Sequence, residues 1–244
     1  GFRQTTLILV CSELVIVIFA AISLSASAIA KEREDGSLDL LLTTSITPKT
    51  YLGGKVHGLV MHLLPMVLVP CITMMTVGLI VLIDSNAVVS DQLIGSSGAS
   101  SVPLALFAPA ILTPIVVIPY ISFCLVLGLM WSMRSKGSLS AIISSLILVF
   151  VVTGGLGMCF KISSDMGHVG SIFAALSPIN SVLATMVSVD VLPSLMQQGT
   201  TSANISLATA SVISGLSWSL ISWGLLRSMS SSFVVTVRRL AGNN

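Results

Sequence analysis

One short stretch gathers most of the side chains able to make directed polar contacts. It reads Lys31-Glu32-Arg33-Glu34-Asp35-Gly36-Ser37-Leu38-Asp39 and continues through Leu41, Leu42, Thr43 and Thr44 to Pro48 and Lys55. It offers no nucleophile beside a base and no set of metal ligands. The chemistry open to it is docking, in which charged groups fix an angle and an apolar face is buried. Gly36 permits a sharp turn. Ser37 is placed as an N-cap, with Asp39 in the first turn, where the helix dipole favours a carboxylate. Leu38, Leu41 and Leu42 then share one face at i, i+3 and i+4. The spacing predicts a short amphipathic helix over residues 37–44. A second start signal follows at once: Thr47 can cap, Pro48 suits the first helical position, and Ile46 can staple against Tyr51.

Elsewhere the reactive residues stand apart. Glu13 is the one charge well inside an apolar run, where a carboxylate is costly and often functional, so it is a candidate for a transport path or for a polar contact with another helix. His57 and His62 are five apart rather than at the i, i+4 spacing that puts two ligands on one helical face, and His168 stands alone. Cys11, Cys71, Cys124 and Cys159 lie singly in apolar surroundings, which suits small buried hydrophobes better than a metal site or disulfides. Gly53-Gly54-Lys55 lacks the first glycine and the hydroxyl residue of a phosphate-binding loop. No catalytic constellation, cofactor site or nucleic-acid surface is expected in this chain.

The elements that position these residues are set by lipid. Of 244 residues, 54% are hydrophobic and 8% are charged, against about 25% charged in a soluble domain. Mean hydropathy is +1.04. Such a chain cannot cover a water-facing surface, and the expected class is an all-α integral membrane protein. Five segments approach or exceed the ~20 apolar residues that a crossing needs: 7–30, 56–83, 104–131, 139–160 and 205–226. Lysines and arginines orient them. Nine fall in the 31–55 loop, between the third and fourth spans, or after the fifth, and only Arg3 and Lys161 fall on the other side. The amino end is therefore expected outside and the carboxyl end in the cytoplasm.

Several weaker signals go with this arrangement. Residues 170–197 are moderately apolar, but Pro178 and Pro193 interrupt them, and Asp190 would cost about 2.5–3.5 kcal/mol at mid-membrane. They are expected as an outer-face, re-entrant or broken element that does not cross. The loop 84–101 is polar and expected to be flexible. Pro65, Pro70, Pro109, Pro114 and Pro119 should kink the second and third spans. Ser23, Ala26, Ser27 and Ala30 make a small-residue surface suited to close helix packing. Asn204-Ile205-Ser206 matches a glycosylation sequon, a pattern common by chance. A chain that opens Gly1-Phe2-Arg3 is expected to be a fragment or a processed product.

The pattern Glu32-Arg33-Glu34-x-Gly36-x-Leu38-x-Leu40-Leu41-x-Thr43-Thr44, followed by Pro48 and Gly54-Lys55, resembles the first cytoplasmic loop of ABC type-2 permeases. The motif covers about a tenth of the chain, and the order of spans extends the likeness to nearly all of it. Ser45 stands where many relatives have proline. The resemblance implies a permease subunit of an ATP-driven exporter in the plasma or inner membrane. Such a permease works with a second permease copy and an ABC ATP-binding subunit, on which ATP and Mg are held. It implies six spans in the full protein, with one N-terminal helix preceding this sequence. It assigns coupling to the ATPase to Glu32, Arg33, Glu34, Gly36, Leu38, Leu41, Leu42, Thr43 and Thr44. Two alternatives remain at this point. One is a secondary transporter or channel using Glu13, and the other is that the charged run merely anchors the topology.

Overall fold

The structure is a computed structural model describing residues 2–35, 48–83, 88–91, 100–103, 105–135, 137–163 and 168–240. In chain order the elements are α1 (Phe2–Glu34), α2 (Pro48–Ile83), β1 (Val88–Asp91), β2 (Ser100–Pro103), α3 (Phe107–Ile111), α4 (Thr113–Arg134) and α5 (Ser138–Ser163). Four short helices follow, α6 (His168–Leu176), α7 (Pro178–Met186), α8 (Ser188–Val191) and α9 (Pro193–Gln197), and then the long α10 (Thr200–Leu240).

Five of these helices are long and apolar enough to cross a membrane: Arg3–Glu32, Thr50–Ile83, Thr113–Arg134, Ser138–Ser163 and Thr200–Met229. Their outward faces are written for lipid. On α5, Leu139, Ile143, Ile147, Phe150, Val151, Met158 and Ile162 are all exposed, a stripe at helical spacing. Ile8, Val15, Ile16 and Phe19 do the same on α1, and Leu216, Leu220 and Trp223 on α10. In water such surfaces would drive aggregation. Against acyl chains they need no cover. The protein is an all-α, multi-pass integral membrane protein, with a single small hairpin among the described residues.

That hairpin lies in the stretch expected to be a flexible loop. β1 and β2 pair antiparallel, with Val88 opposite Pro103 and Asp91 opposite Ser100. Pro103 sits at the end of its strand, where its missing N–H removes little from the ladder. The third span also begins later than the apolar run suggested. Residues 107–111 form the separate helix α3, and Leu112 interrupts it with φ −84° and ψ 1°. The break falls between Pro109 and Pro114, whose rings oppose a continuous helix. Pro119 lies inside α4, and α2 is assigned as one helix through Pro65 and Pro70.

The chain divides into two compact units. The first comprises Gly1–Leu14, Leu68–Ile118 and Thr153–Leu216, and the second Val15–Val67, Pro119–Val152 and Ser217–Asn244. In the first unit, residues 168–197 are broken into α6 to α9, none longer than nine residues, where a crossing takes about 20. Pro178 and Pro193 open α7 and α9 at the first helical positions, where proline forfeits no hydrogen bond. Gly199 then turns the chain with φ +112°, a conformation that favours glycine. The short helices pack on Leu106, Phe160, Ala174, Ala184, Leu192, Leu195, Ala203 and Leu207. The Leu106 N–H donates to the Thr185 carbonyl at 2.9 Å. Across to α10, the Ser214 hydroxyl donates to the Ala175 carbonyl at 2.8 Å.

Two sequence features acquire partners in this unit. His168 Nδ1 lies 2.9 Å from Ser206 Oγ, which also meets Ser171 Oγ at 2.8 Å. The lone histidine thus ties α6 to α10. The sequon is occupied by structure: Asn204 Oδ1 accepts the Ala108 N–H, its Nδ2 donates to the Thr200 carbonyl, and Ser206 is buried. A glycosyl transfer to Asn204 would have to break both bonds.

The second unit has its own apolar core of Ile29, Leu52, Leu129, Met133 and Met229, with Tyr51, Val56, Leu59, Met130 and Leu226 packed against it. A cluster of Tyr120, Phe123 and Trp218 adds edge contacts, with the Tyr120 and Trp218 rings T-shaped at 5.1 Å, a preferred geometry for such pairs.

Candidate functional site

The site grows from the last turn of α1, inside the second unit. Its footing is a close helix contact. A Cβ added at Gly128 of α4 would fall 2.0 Å from Ser25 Oγ and 3.1 Å from the Ala26 nitrogen. Only glycine admits that approach, and Ser25 and Ala26 are fully buried. Small residues serve this purpose in membranes, where van der Waals contact replaces the hydrophobic effect between helices. One turn on, the N–H groups of Ile29 and Ala30 both point to Ser132 Oγ, at 3.1 and 2.8 Å. Ala26 and Ala30 of the expected small-residue surface thus meet α4. The serines of α1 otherwise bond back along their own helix, as Ser25 does to the Ala21 carbonyl.

Above this footing the two glutamates diverge. Glu32 accepts the Tyr51 hydroxyl on one carboxylate oxygen and the Lys55 ammonium on the other. The Lys55 ammonium also lies 6.0 Å from the Tyr51 ring centre. Glu34 accepts the Ser138 N–H at 2.7 Å and the Ser138 hydroxyl at 3.2 Å. It thereby caps α5 from another helix, and a carboxylate at that end also meets the positive pole of the helix dipole. The last turn of α1 therefore fastens the first turns of both α2 and α5. Glu32 and its partners close the stem of the segment that leaves α1 after Asp35 and returns at Pro48.

This arrangement is a mechanical joint. No group of three or more metal-ligating side chains occurs among the described residues. Gly53, Gly54 and Lys55 lie inside α2, so their backbone is helical and forms no phosphate cradle. Of the expected coupling residues, Glu32 and Glu34 are brought to this joint. Nothing is described of the Arg33 side chain, and Gly36, Leu38, Leu41, Leu42, Thr43 and Thr44 lie outside the described residues, as does the whole expected helix 37–44. The Ile46 staple also lies outside them. Tyr51, expected as its partner, is half-buried and bonds Glu32.

Glu13 belongs to the first unit and takes no part in the joint. It is half-buried, and its Oε2 is buried with no hydrogen-bond partner among the described residues. His57 and His62 are exposed on α2. Cys71 and Cys124 are buried, Cys11 is half-buried and Cys159 is exposed. The expectation that all four are buried therefore fails for two of them. In lipid a small apolar side chain is as well placed outward as inward.

Replacing Glu32 by alanine should loosen the stem without unfolding the protein. The Lys55 and Glu32 side chains are 22% and 31% exposed, so the ion pair itself is worth about 1 kcal/mol at most. The lost tyrosine bond adds a similar amount. Hydrogen exchange should rise over residues 31–55 while α4 and α5 keep their protection. Unchanged exchange in Glu32→Ala would show that the joint does not restrain the segment. Sequence reasoning missed Ser132, Ser138 and the bond of Tyr51 to Glu32, because each of the three meets a residue 19 to 104 positions away. The signal available was that Tyr51 and Lys55 share a helix face at i, i+4.

Compared with known protein families, curated proteins and solved structures, this chain matches none.

Proposed function

We propose that the chain is the membrane-spanning permease subunit of an ATP-driven ABC transporter, working as an exporter. A separate ATP-binding subunit, which holds ATP and Mg, drives alternating access by pushing on segment 31–55. The reading rests on the stem. Because Glu32 binds Tyr51 and Lys55, a force applied to residues 36–47 passes into α1 and α2 together. Through Glu34 and Ser138 it also reaches α5. An unfastened loop would absorb the same push by bending. The charged sequence at that stem and its likeness to the coupling loop of ABC type-2 permeases supply the partner.

The distribution of charge supports the orientation. Nine of the eleven lysines and arginines belong to the second unit, and Arg3 and Lys161 to the first. By the positive-inside rule the stem faces the cytoplasm, with the carboxyl end, in a plasma or inner membrane. A second permease copy completes the transport unit.

A second reading has one observation in its favour. Glu13 places in the first span a buried carboxylate oxygen with no hydrogen-bond partner among the described residues, which suits a secondary transporter or channel driven by an ion gradient. Purification from native membranes in a mild detergent separates the two. The permease reading expects an ATP-binding-cassette ATPase to co-purify and to hydrolyse ATP with Mg, and Glu13→Gln to leave that activity in place. Gradient-driven flux in liposomes holding this chain alone, lost in Glu13→Gln, would overturn it.

A further inference from the structure

The first turn of α6 carries a closed circuit of hydrogen bonds whose protons can be counted. Ser171 Oγ lies 2.7 Å from the His168 carbonyl oxygen, Ser206 Oγ lies 2.8 Å from Ser171 Oγ, and His168 Nδ1 lies 2.9 Å from Ser206 Oγ. Ser171 and Ser206 are buried, and His168 is exposed. Among the described residues none of these three side chains has another partner.

Each hydroxyl has one proton to give. A carbonyl only accepts, so the Ser171 hydroxyl donates to the His168 carbonyl. Its proton is then committed, and the bond between the two serines takes the proton of Ser206. With that proton committed in turn, the contact between Nδ1 and Ser206 is a hydrogen bond only if Nδ1 donates. The circuit runs from the imidazole through Ser206 and Ser171 to the backbone carbonyl of the same histidine. Each donor in it has one acceptor.

A serine beside a histidine is a common form of activated nucleophile, in which the ring nitrogen takes the hydroxyl proton. At this pair the nitrogen facing Ser206 already carries a proton and has no lone pair to offer. Ser206 is therefore not a nucleophile served by His168. The neutral ring is the Nδ1–H tautomer, the less populated one of free histidine in water. Its basic nitrogen is Nε2, which bonds to no described residue. A proton taken up on acidification goes to Nε2, and Nδ1 donates both before and after. Residues 168–176 of α6 and the facing stretch of α10, residues 200–215, hold no other titratable side chain. His168 forms no ion pair with any described residue.

We infer that this circuit is a latch, which fastens α6 to α10 and stays closed in both charge states of the histidine. Exposed histidines often serve as pH switches because protonation changes what they can bond. This one is wired so that protonation touches none of its bonds. The far end of α6 is pinned separately, by the Ser214 hydroxyl on the Ala175 carbonyl, so the latch governs the first turn alone. It rests on this circuit and does not depend on coupling to an ATPase.

The test uses the purified full chain in a neutral detergent, labelled with 15N-histidine. NMR reads which ring nitrogen carries the proton, and the His168 signals are those lost in His168→Asn. In the neutral ring the proton should sit on Nδ1, and acidification should add the second proton at Nε2. Hydrogen exchange over residues 168–176, corrected for its intrinsic pH dependence, should be the same on both sides of that titration. Ser206→Ala and His168→Phe should each raise exchange in the first turn of α6 about fivefold at either pH, the yield of one lost hydrogen bond. His168→Asn, whose side-chain N–H falls where Nδ1 stands, should keep wild-type exchange. His168→Phe changes an exposed position, so it remains informative should Ser206→Ala fold poorly. An Nε2–H tautomer in the neutral ring overturns the inference. So does exchange that rises as the ring becomes charged, or wild-type exchange in His168→Phe.

Discussion

The double variant Leu41→Asp/Leu42→Asp should reach the membrane in normal amounts and lose its ATPase partner. Both positions lie between the first and second spans, so insertion does not depend on them. In the proposed coupling helix they supply the apolar face, and a docking patch of that size depends on a few anchors. Two aspartates would put unpaired charge into an apolar contact, at a cost of several kcal/mol. At about 1.4 kcal/mol per tenfold, that is a loss of affinity of a hundredfold or more. Co-purification of the ATPase and substrate-stimulated hydrolysis should both disappear. Charge reversal at Asp84 or Asp91, in the loop proposed to face outside, should leave both intact. If the leucine variant still binds an ATPase and transports, segment 31–55 is not the coupling element, and the role of Glu13 becomes the stronger reading.

How much of this protein can be read without coordinates follows from which forces act locally. Lipid demands long apolar runs, so five spans are visible as composition alone. Proline acts on its own helix, so the breaks at Pro178 and Pro193 are visible too. The start of the third span is not, because Leu104 to Leu112 is as apolar as the span itself. Only the backbone turn at Leu112, between two prolines, separates α3 from α4. The joint was half legible. Glu32 and Glu34 stand out as charges at a helix end, but their partners Tyr51, Lys55 and Ser138 come from helices whose packing is decided elsewhere. Glycine roles were the least legible. Gly128, Gly154 and Gly215 look alike in an apolar run, yet one admits a neighbouring helix, one borders a cavity and one meets backbone.

That last distinction sets the second large effect, in which the same substitution at two positions of one helix should have opposite signs. Gly215→Ala should cripple the fold, and Gly224→Ala should leave it intact or strengthen it. Both glycines lie within α10, so the change in helix propensity favours alanine by about 1 kcal/mol in each case. Packing decides the rest. A Cβ at Gly215 would fall 2.4 Å from the Ile115 carbonyl oxygen and 2.8 Å from Ile115 Cγ2. A rotamer change could move the side-chain atom, but the carbonyl belongs to the first turns of α4 and can retreat only if the two helices separate. Overpacking of this kind typically costs 1–3 kcal/mol and more where backbone must shift. Separation would also strain the neighbouring bond from Ser214 to the Ala175 carbonyl. A Cβ at Gly224 meets nothing within 4 Å, so it keeps the propensity gain. Thermal unfolding in detergent, followed by size-exclusion chromatography, should show Gly215→Ala melting well below wild type, with a reduced monodisperse yield. Gly224→Ala should melt at or above wild type. Should Gly215→Ala melt no lower than Gly224→Ala, the close approach of α10 to Ile115 is wrong.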